Sequence, residues 1–240
     1  MDPNVKTTSE ERKNRKEASV LSERLAFTGR IAASIAHEIR NPLTNVSMSV
    51  RQLKEAFSPD SPWARHIEII IRNTERINFL ITELLNSARP PKLNIQPNHI
   101  NNILESTLDS IKAKITAQQV QIRKNYCPES PVISVDREQI NRVFSNVMIN
   151  ALDAMPEGGV MTIETRIEER YFVVKIADTG AGIPEEDIIR IFDPFFSTKA
   201  SGIGLGLSIT YGTVVSHGGT INVESQQKEG AVFTISLPMH

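Results

Sequence analysis

The segment His37-Glu38-Ile39-Arg40-Asn41-Pro42-Leu43 decides how the first third of the chain is read, because it sits inside a helical repeat and not in a loop. Around it Leu21, Leu25, Thr28, Ala32, Ile35, Ile39, Pro42, Val46, Ser49, Leu53 and Ala56 alternate spacings of four and three, the pattern of a buried seam. His37 falls five places after Ala32, in the outermost register of that repeat, so its imidazole is predicted to face water. Arg40, Asn41 and Thr44 follow three, four and seven residues later and share its face. A water-facing imidazole is a candidate nucleophile. Pro42 lacks an N–H and crowds the preceding turn, so it is expected to loosen the helix just below.

Upstream, residues 1–19 mix Lys6, Arg12, Lys13, Arg15 and Lys16 with Glu10, Glu11 and Glu17, which reads as a charged helical linker to which an upstream sensor domain would attach. Downstream, the helix is expected to stop near Phe57 at Ser58-Pro59-Asp60-Ser61-Pro62, where Ser61 can cap and Pro62 can open a second helix. That helix repeats the pattern at Trp63, Ile67, Ile70, Thr74, Ile77, Ile81, Leu84 and Ala88 until Pro90-Pro91, with Trp63 expected in the core at the hairpin turn. A two-helix hairpin covers only half of each seam, so residues 20–89 are expected to pair with a second copy as a four-helix bundle, a homodimer. Residues 90–94 would then be a hinge linker. If the rest of the chain covered the stripe instead, Pro90-Pro91 would be a buried turn.

Composition narrows the function classes. A formal charge of −1 over 240 residues offers no basic excess for nucleic acid or an anionic membrane. Cys127 is the only cysteine, which excludes an internal disulfide and a cysteine-based zinc site. No apolar run approaches the roughly 20 residues of a spanning helix. The chain is expected to be cytoplasmic, with no membrane segment of its own.

From residue 95 to residue 240 the texture changes, and all glycines except Gly29 fall at or after Gly158. Helices are expected at 98–119, 137–155, 185–191 and 204–216. Strands are expected at 120–124, 132–135, 160–168, 171–178, 220–225 and 231–237. The reading is helices layered on one mostly antiparallel sheet, so that the whole chain is α+β. On the helix from Arg137, the stripe Gln139, Arg142, Asn146, Asn150 and Asp153 opposes the apolar face. Asparagine is a poor helix-interior residue, so two of them one turn apart suggest a job, and a carboxamide oxygen suits a hard cation such as Mg²⁺. Asp178-Thr179-Gly180-Ala181-Gly182 leaves an apolar strand, delivering a carboxylate that can accept from an exocyclic amine; the same pattern also serves as an ordinary turn. Gly202-Ile203-Gly204-Leu205-Gly206-Leu207-Ser208 opens a helix whose bare N–H groups could cradle phosphate, with Lys199 just upstream. Between them Phe192-Asp193-Pro194-Phe195-Phe196-Ser197-Thr198 reads as a hinged lid or docking surface. His66, His99, His217 and His240 read as surface or helix-end residues.

In this order and spacing the motifs resemble those of the two-component sensor histidine kinases over nearly the whole chain. His37 to Leu43 is similar to the H-box, Asn146 to Met155 to the N-box, and Asp178 to Gly182 to the first glycine box. Phe192 to Phe196 is similar to the F-box and Gly202 to Gly206 to the second glycine box. Asn150-Ala151-Leu152-Asp153-Ala154-Met155 and the run from Asp193 to Lys199 resemble the nitrogen-regulation branch.

The resemblance implies a dimerisation and phosphotransfer hairpin at 20–89 and, at 95–240, a gyrase-like α/β-sandwich ATP-binding domain of the Bergerat type. It implies a protein histidine kinase using ATP and Mg²⁺, in which His37 is autophosphorylated and passes the phosphoryl group to an aspartate on the receiver domain of a response regulator. No receiver follows Leu237, so the regulator is expected to be a separate protein. By the same resemblance Glu38 takes the His37 proton and Asn41 serves a regulator-phosphatase activity. Asn150 ligates Mg²⁺ with Asn146 as its helper, and Asp178 reads adenine with Thr234 beside it. Gly180, Gly182, Ile183, Gly202, Ile203, Gly204, Leu205, Gly206 and Leu207 surround the nucleotide. Many relatives have a basic residue where this chain has Asp153 and an arginine where it has Ser197, which leaves Lys199 as the phosphate-binding substitute. The rival readings are a gyrase-like ATPase, against which the histidine-bearing hairpin counts, and a non-catalytic dimeric scaffold, against which the intact motifs count.

Overall fold

The computed structural model describes residues 39, 41–58, 61–88, 93–199 and 204–239, with the backbone alone for 79–88. His37, Glu38, Gly202, Ile203 and the linker 1–19 lie outside the described residues. The chain forms two compact units, Met1–Pro91 and Lys92–His240.

The first unit is helical. Residues 41–56 form α1 and Ala64–Ala88 form α2. The turn between them follows from its capping chemistry: Trp63 N–H donates to Ser61 Oγ at 3.3 Å and Ala64 N–H to the Ser61 carbonyl at 2.9 Å, with Pro62 where a helix needs no donor. The least exposed positions on α1 are Leu43, Ser47 and Val50, and on α2 Ala64, Ile67, Ile71, Thr74 and Asn78. Arg51 and Glu75 meet across the hairpin at 3.9 Å, a pair too exposed to stabilise by more than about 1 kcal/mol.

Of the expected seam, Ile39, Val46 and Leu53 are 42%, 44% and 47% exposed in the single hairpin, as expected where two helices cover only half of each seam. One sequence expectation is corrected. Trp63, expected in the core, is 58% exposed, with its ring tilted against that of His66 at 6.1 Å on the same helix end. Each chain therefore presents an unpartnered apolar line.

The second unit is a five-stranded sheet in the order β2-β4-β5-β7-β6, built from β2 (Val120–Asn125), β4 (Gly159–Glu168), β5 (Tyr171–Asp178), β6 (Thr220–Gln226) and β7 (Gly230–Pro238). Only the β2–β4 pair is parallel. Alternation does the sorting. Met161 and Ile163 of β4, Phe172, Val174 and Ile176 of β5, and Phe233, Ile235 and Leu237 of β7 are buried in one cluster. That cluster also takes in the inner faces of α3 (Ile100–Ala117) and α4 (Arg137–Ala154), with Val214 of α6 (Gly206–Ser216). A short α5 spans Glu185–Ile188. In a separate two-stranded ladder β1 (Gln96–His99) pairs with β3 (Val132–Val135), a strand expected from sequence, whereas β1 escaped that reading, since Gln96-Pro97-Asn98-His99 is polar and carries a proline.

Asp136 ties this unit together. Its Oδ1 accepts from Gln139 N–H at 3.0 Å to cap α4, and its Oδ2 accepts from Asn94 N–H at 2.8 Å. Its own N–H donates to His217 Nε2 at 3.0 Å, which leaves Nδ1 to donate to the Thr213 carbonyl at 2.8 Å. His217 is thus the helix end expected from sequence, but it also bonds across to the start of α4. Burial pushes the Asp136 carboxyl up, yet the donated backbone N–H bonds and the nearby His217 outweigh it and hold the group below the usual range. A lowered acid pKa contributes stability above the unfolded value, about 3.9, and loses it as pH falls through the folded one. Asp136→Ala is expected to cost about 1–2 kcal/mol at pH 7, with the deficit shrinking below about pH 4, read from urea midpoints against pH.

Candidate functional site

The site forms where the polar side of α4 meets the loops that follow β5 and precede α6. Asp178, the last residue of β5, is 7% exposed; its Oδ1 accepts from Gly180 N–H at 2.8 Å and its carboxyl also accepts from the backbone of Ala231. Burial dominates and pushes the carboxyl above its ordinary value despite those two donors. A raised acid pKa favours the fold at low pH and withdraws that contribution as pH rises through the folded value. A carboxylate kept dry at a sheet end costs the empty protein, and a ligand donor would relieve the cost.

The loop after Asp178 is clamped from two sides. Ala181 N–H donates to the Ala154 carbonyl at the end of α4, 3.1 Å, and a Cβ on Gly180 would lie 2.6 Å from the same oxygen. On the other side Lys228 N–H reaches the Ala181 carbonyl at 2.7 Å and Ile183 N–H reaches Ser225 Oγ at 2.8 Å. Gly182 has φ +69° there, and a Cβ on it would stand 2.2 Å from the Gln226 carbonyl. Glycine is demanded by both conformation and space.

Across the site, Asn146 Nδ2 donates to the Gly206 carbonyl at 3.1 Å and to Thr210 Oγ1 at 3.3 Å, so this asparagine fixes where α6 begins. That helix starts two residues later than expected, with Leu205 before it and no side-chain cap on its first N–H groups. Uncapped donors at a helix start suit an anion. Gly204 accepts from Phe195 N–H at 3.0 Å, Leu205 is buried, and Ile183 and Leu207 pack partly on the core. These three side chains anchor the loops whose backbones face the site.

Asn150 and Asp153, on the α4 face expected from sequence, share one lysine. Lys199 Nζ donates to Asn150 Oδ1 at 2.9 Å and to Asp153 Oδ2 at 2.7 Å, while Lys114 Nζ of α3 takes Asp153 Oδ1 at 2.5 Å. Burial alone would raise the Asp153 carboxyl, but the bonds and charges of the two lysines prevail and lower it.

Thr234 is a correction: it pairs with Lys175 on the sheet face away from the helices, whereas Asp178 lies among the inward residues. The β7 neighbour of Asp178 is Ala231. Ala231, Gly230, Ser225, Thr210 and Lys114 were missed, since each joins the site through strand register or helix packing that leaves no local signal. Asn41 is exposed on α1.

The donor set fits Mg²⁺. The Asn150 carboxamide oxygen already accepts from a cation, the Lys199 ammonium, beside a carboxylate. Among the described residues no cluster of three or more His, Cys, Asp or Glu could cage a metal. An amide oxygen beside a carboxylate suits an ion that keeps water and phosphate oxygens and takes one or two protein ligands. Among the described residues no helix is long and apolar enough to cross a membrane.

Comparison with known proteins agrees with this architecture. Residues 28–92 match the His Kinase A (phospho-acceptor) domain, and residues 135–240 match the histidine kinase-, DNA gyrase B-, and HSP90-like ATPase. Sporulation kinase C of Bacillus subtilis (strain 168) is 35% identical over 91% of this chain and 50% of its own length. The catalytic domain of histidine kinase ThkA is 30% identical, covering 61% of this chain and 96% of that one, with a TM-score of 0.57. ThkA in complex with response regulator protein TrrA is 28% identical, covering 100% of this chain and 68% of that one, with a TM-score of 0.64. The chain spans half or less of the length of the curated relatives it matches. With 96% of a solved histidine kinase catalytic domain covered at 30% identity, and both domain models matched in order, the chain belongs to the sensor histidine kinases.

Proposed function

We propose that the chain autophosphorylates His37 from ATP and passes the phosphoryl group to an aspartate on a response-regulator receiver domain. The observation that carries this reading is the convergence of Asn146, Asn150, Asp178 and the α6 start on one site, in a chain that also bears His37 within a matched phospho-acceptor segment. Asp178 accepts from the adenine amine, the N–H groups at the start of α6 face the phosphates, and Lys199 pairs with the γ-phosphate. Asn150 Oδ1 would hold Mg²⁺, which when bound would supply charge stabilisation to the phosphates. His37 Nε2 forms the new N–P bond in line as the bond from γ-phosphorus to the bridging oxygen breaks, and Glu38 takes the Nδ1 proton. The products are ADP and a phosphoramidate.

The test is incubation with γ-labelled ATP and Mg²⁺. Protein-bound label that is lost in acid and survives alkali is expected; no label, or an acid-stable one, overturns the assignment.

The same reading divides the chain into linker 1–19, phosphotransfer hairpin 20–89, hinge 90–94 and ATP-binding domain 95–240, and gives it a cytoplasmic location. The motif run from Asp193 to Lys199 supports the nitrogen-regulation branch. Pairing two hairpins into a four-helix bundle covers the exposed line of Ile39, Val46, Leu53, Ile70 and Ile77. Val46→Glu with Leu53→Glu is expected to halve the mass in analytical ultracentrifugation at micromolar concentration, since two charges per chain would be buried unpaired; an unchanged mass would remove this interface. Asn41, exposed on α1, would orient water against a regulator phosphoaspartate. Asn41→Ala should slow regulator dephosphorylation about tenfold or more with autophosphorylation intact, and an unchanged rate removes the role.

A further inference from the structure

Three charged side chains and one amide from three separate parts of the chain meet at one edge of the site. Asn150 and Asp153 lie three apart on α4, so their oxygens share a face. Lys199 arrives from the loop after Phe196 and bonds both, at 2.9 and 2.7 Å. Lys114 arrives from α3 and takes the other Asp153 oxygen at 2.5 Å. Two ammonium groups on one carboxylate leave one positive charge in excess, the sign a polyphosphate needs. The two lysines are not equivalent. If Lys199 leaves for a phosphate, Lys114 still pairs Asp153, so departure strands no half-buried carboxylate. Lys199 also covers the oxygen that a divalent cation would take.

We propose that Asp153, steadied by Lys114, is a positioning residue that holds the Lys199 ammonium on the Asn150 side-chain oxygen, so that Lys199 and the divalent cation compete for one acceptor. Nucleotide binding then requires exchange: the metal takes Asn150 Oδ1 and the ammonium moves to the phosphates. This explains why an acidic residue stands beside the metal asparagine, since it retains the lysine there. The inference rests on the nucleotide reading given above for Asn150.

Competition and tethering have a signature that a merely structural ion pair lacks. Calorimetric titration with ADP at varied Mg²⁺ is applied to wild type, Lys199→Met, Asp153→Asn and the double variant. Lys199 and Asp153 side chains are 40% and 31% exposed, so neither substitution empties the core. Lys199→Met is expected to lower the half-saturating Mg²⁺ about threefold, the size of a partly exposed pair. Asp153→Asn is expected to shift it by a factor that differs about threefold between the wild-type and Lys199→Met backgrounds, because Asp153 acts through the lysine. Equal shifts in both backgrounds, or a Lys199→Met protein needing as much Mg²⁺ as wild type, overturn the proposal while leaving the nucleotide site standing. Wild-type protein that binds ADP with no dependence on Mg²⁺ overturns the metal role of Asn150 and this inference with it.

Discussion

His37→Gln is expected to reduce acid-labile phosphoryl labelling to background while leaving the affinity for Mg²⁺·ADP within about twofold of wild type. Glutamine keeps a polar side chain of similar reach but has no basic ring nitrogen, so no N–P bond can form. Nucleotide affinity should survive because Asp178, Asn150 and the start of α6 all belong to the unit Lys92–His240, whereas His37 belongs to Met1–Pro91. The two readouts together discriminate. Loss of both would mean that the substitution perturbs folding, and labelling retained at the wild-type level would move the acceptor to another residue and sink the kinase assignment. A parallel Asn150→Ala protein should show the converse, an intact acceptor with weakened Mg²⁺-dependent binding.

What could be read without coordinates was governed by distance along the chain. The limits expected for β3 and β5, Val132–Val135 and Tyr171–Asp178, match the structure because apolar alternation ends at turn residues on both sides. The α4 stripe was equally legible, since helix geometry alone places Asn146, Asn150 and Asp153 on one face. Failures came where a second segment decides. The inner positions of the hairpin on α1, Leu43, Ser47 and Val50, lie one residue off the four-three repeat and include a serine, so periodicity alone does not mark them. The resemblance places Thr234 beside the adenine, while the β5–β7 register sets it opposite Lys175 and brings Ala231 to the Asp178 carboxylate. Lys114 lies on α3, and nothing local says that its side chain reaches Asp153 on α4.

Gly230→Ala is expected to combine the largest stability loss with damage to nucleotide binding, although Gly230 carries no side chain to offer a ligand. Its φ of +96° lies where an L-residue is strained by about 1–2 kcal/mol. A Cβ there would also stand 1.9 Å from the Asp178 carbonyl oxygen, and forcing the backbones apart in a packed sheet typically costs about 1–3 kcal/mol more. The sum, about 2–5 kcal/mol, is a large part of the roughly 5–15 kcal/mol that holds such a domain together, so the urea midpoint should fall sharply. The displacement also has a direction. Ile183 N–H donates to Ser225 Oγ, which donates in turn to the Gly230 carbonyl at 2.6 Å, so moving Gly230 pulls on the loop after Asp178 as well as on Asp178 itself. Measured at low temperature, where the variant stays folded, ADP affinity should drop about tenfold, the size of one lost charge-assisted hydrogen bond. A folded Gly230→Ala protein that binds ADP as tightly as wild type would mean that the Asp178 carboxylate does not touch the nucleotide, and the adenine contact would have to be sought elsewhere on the site.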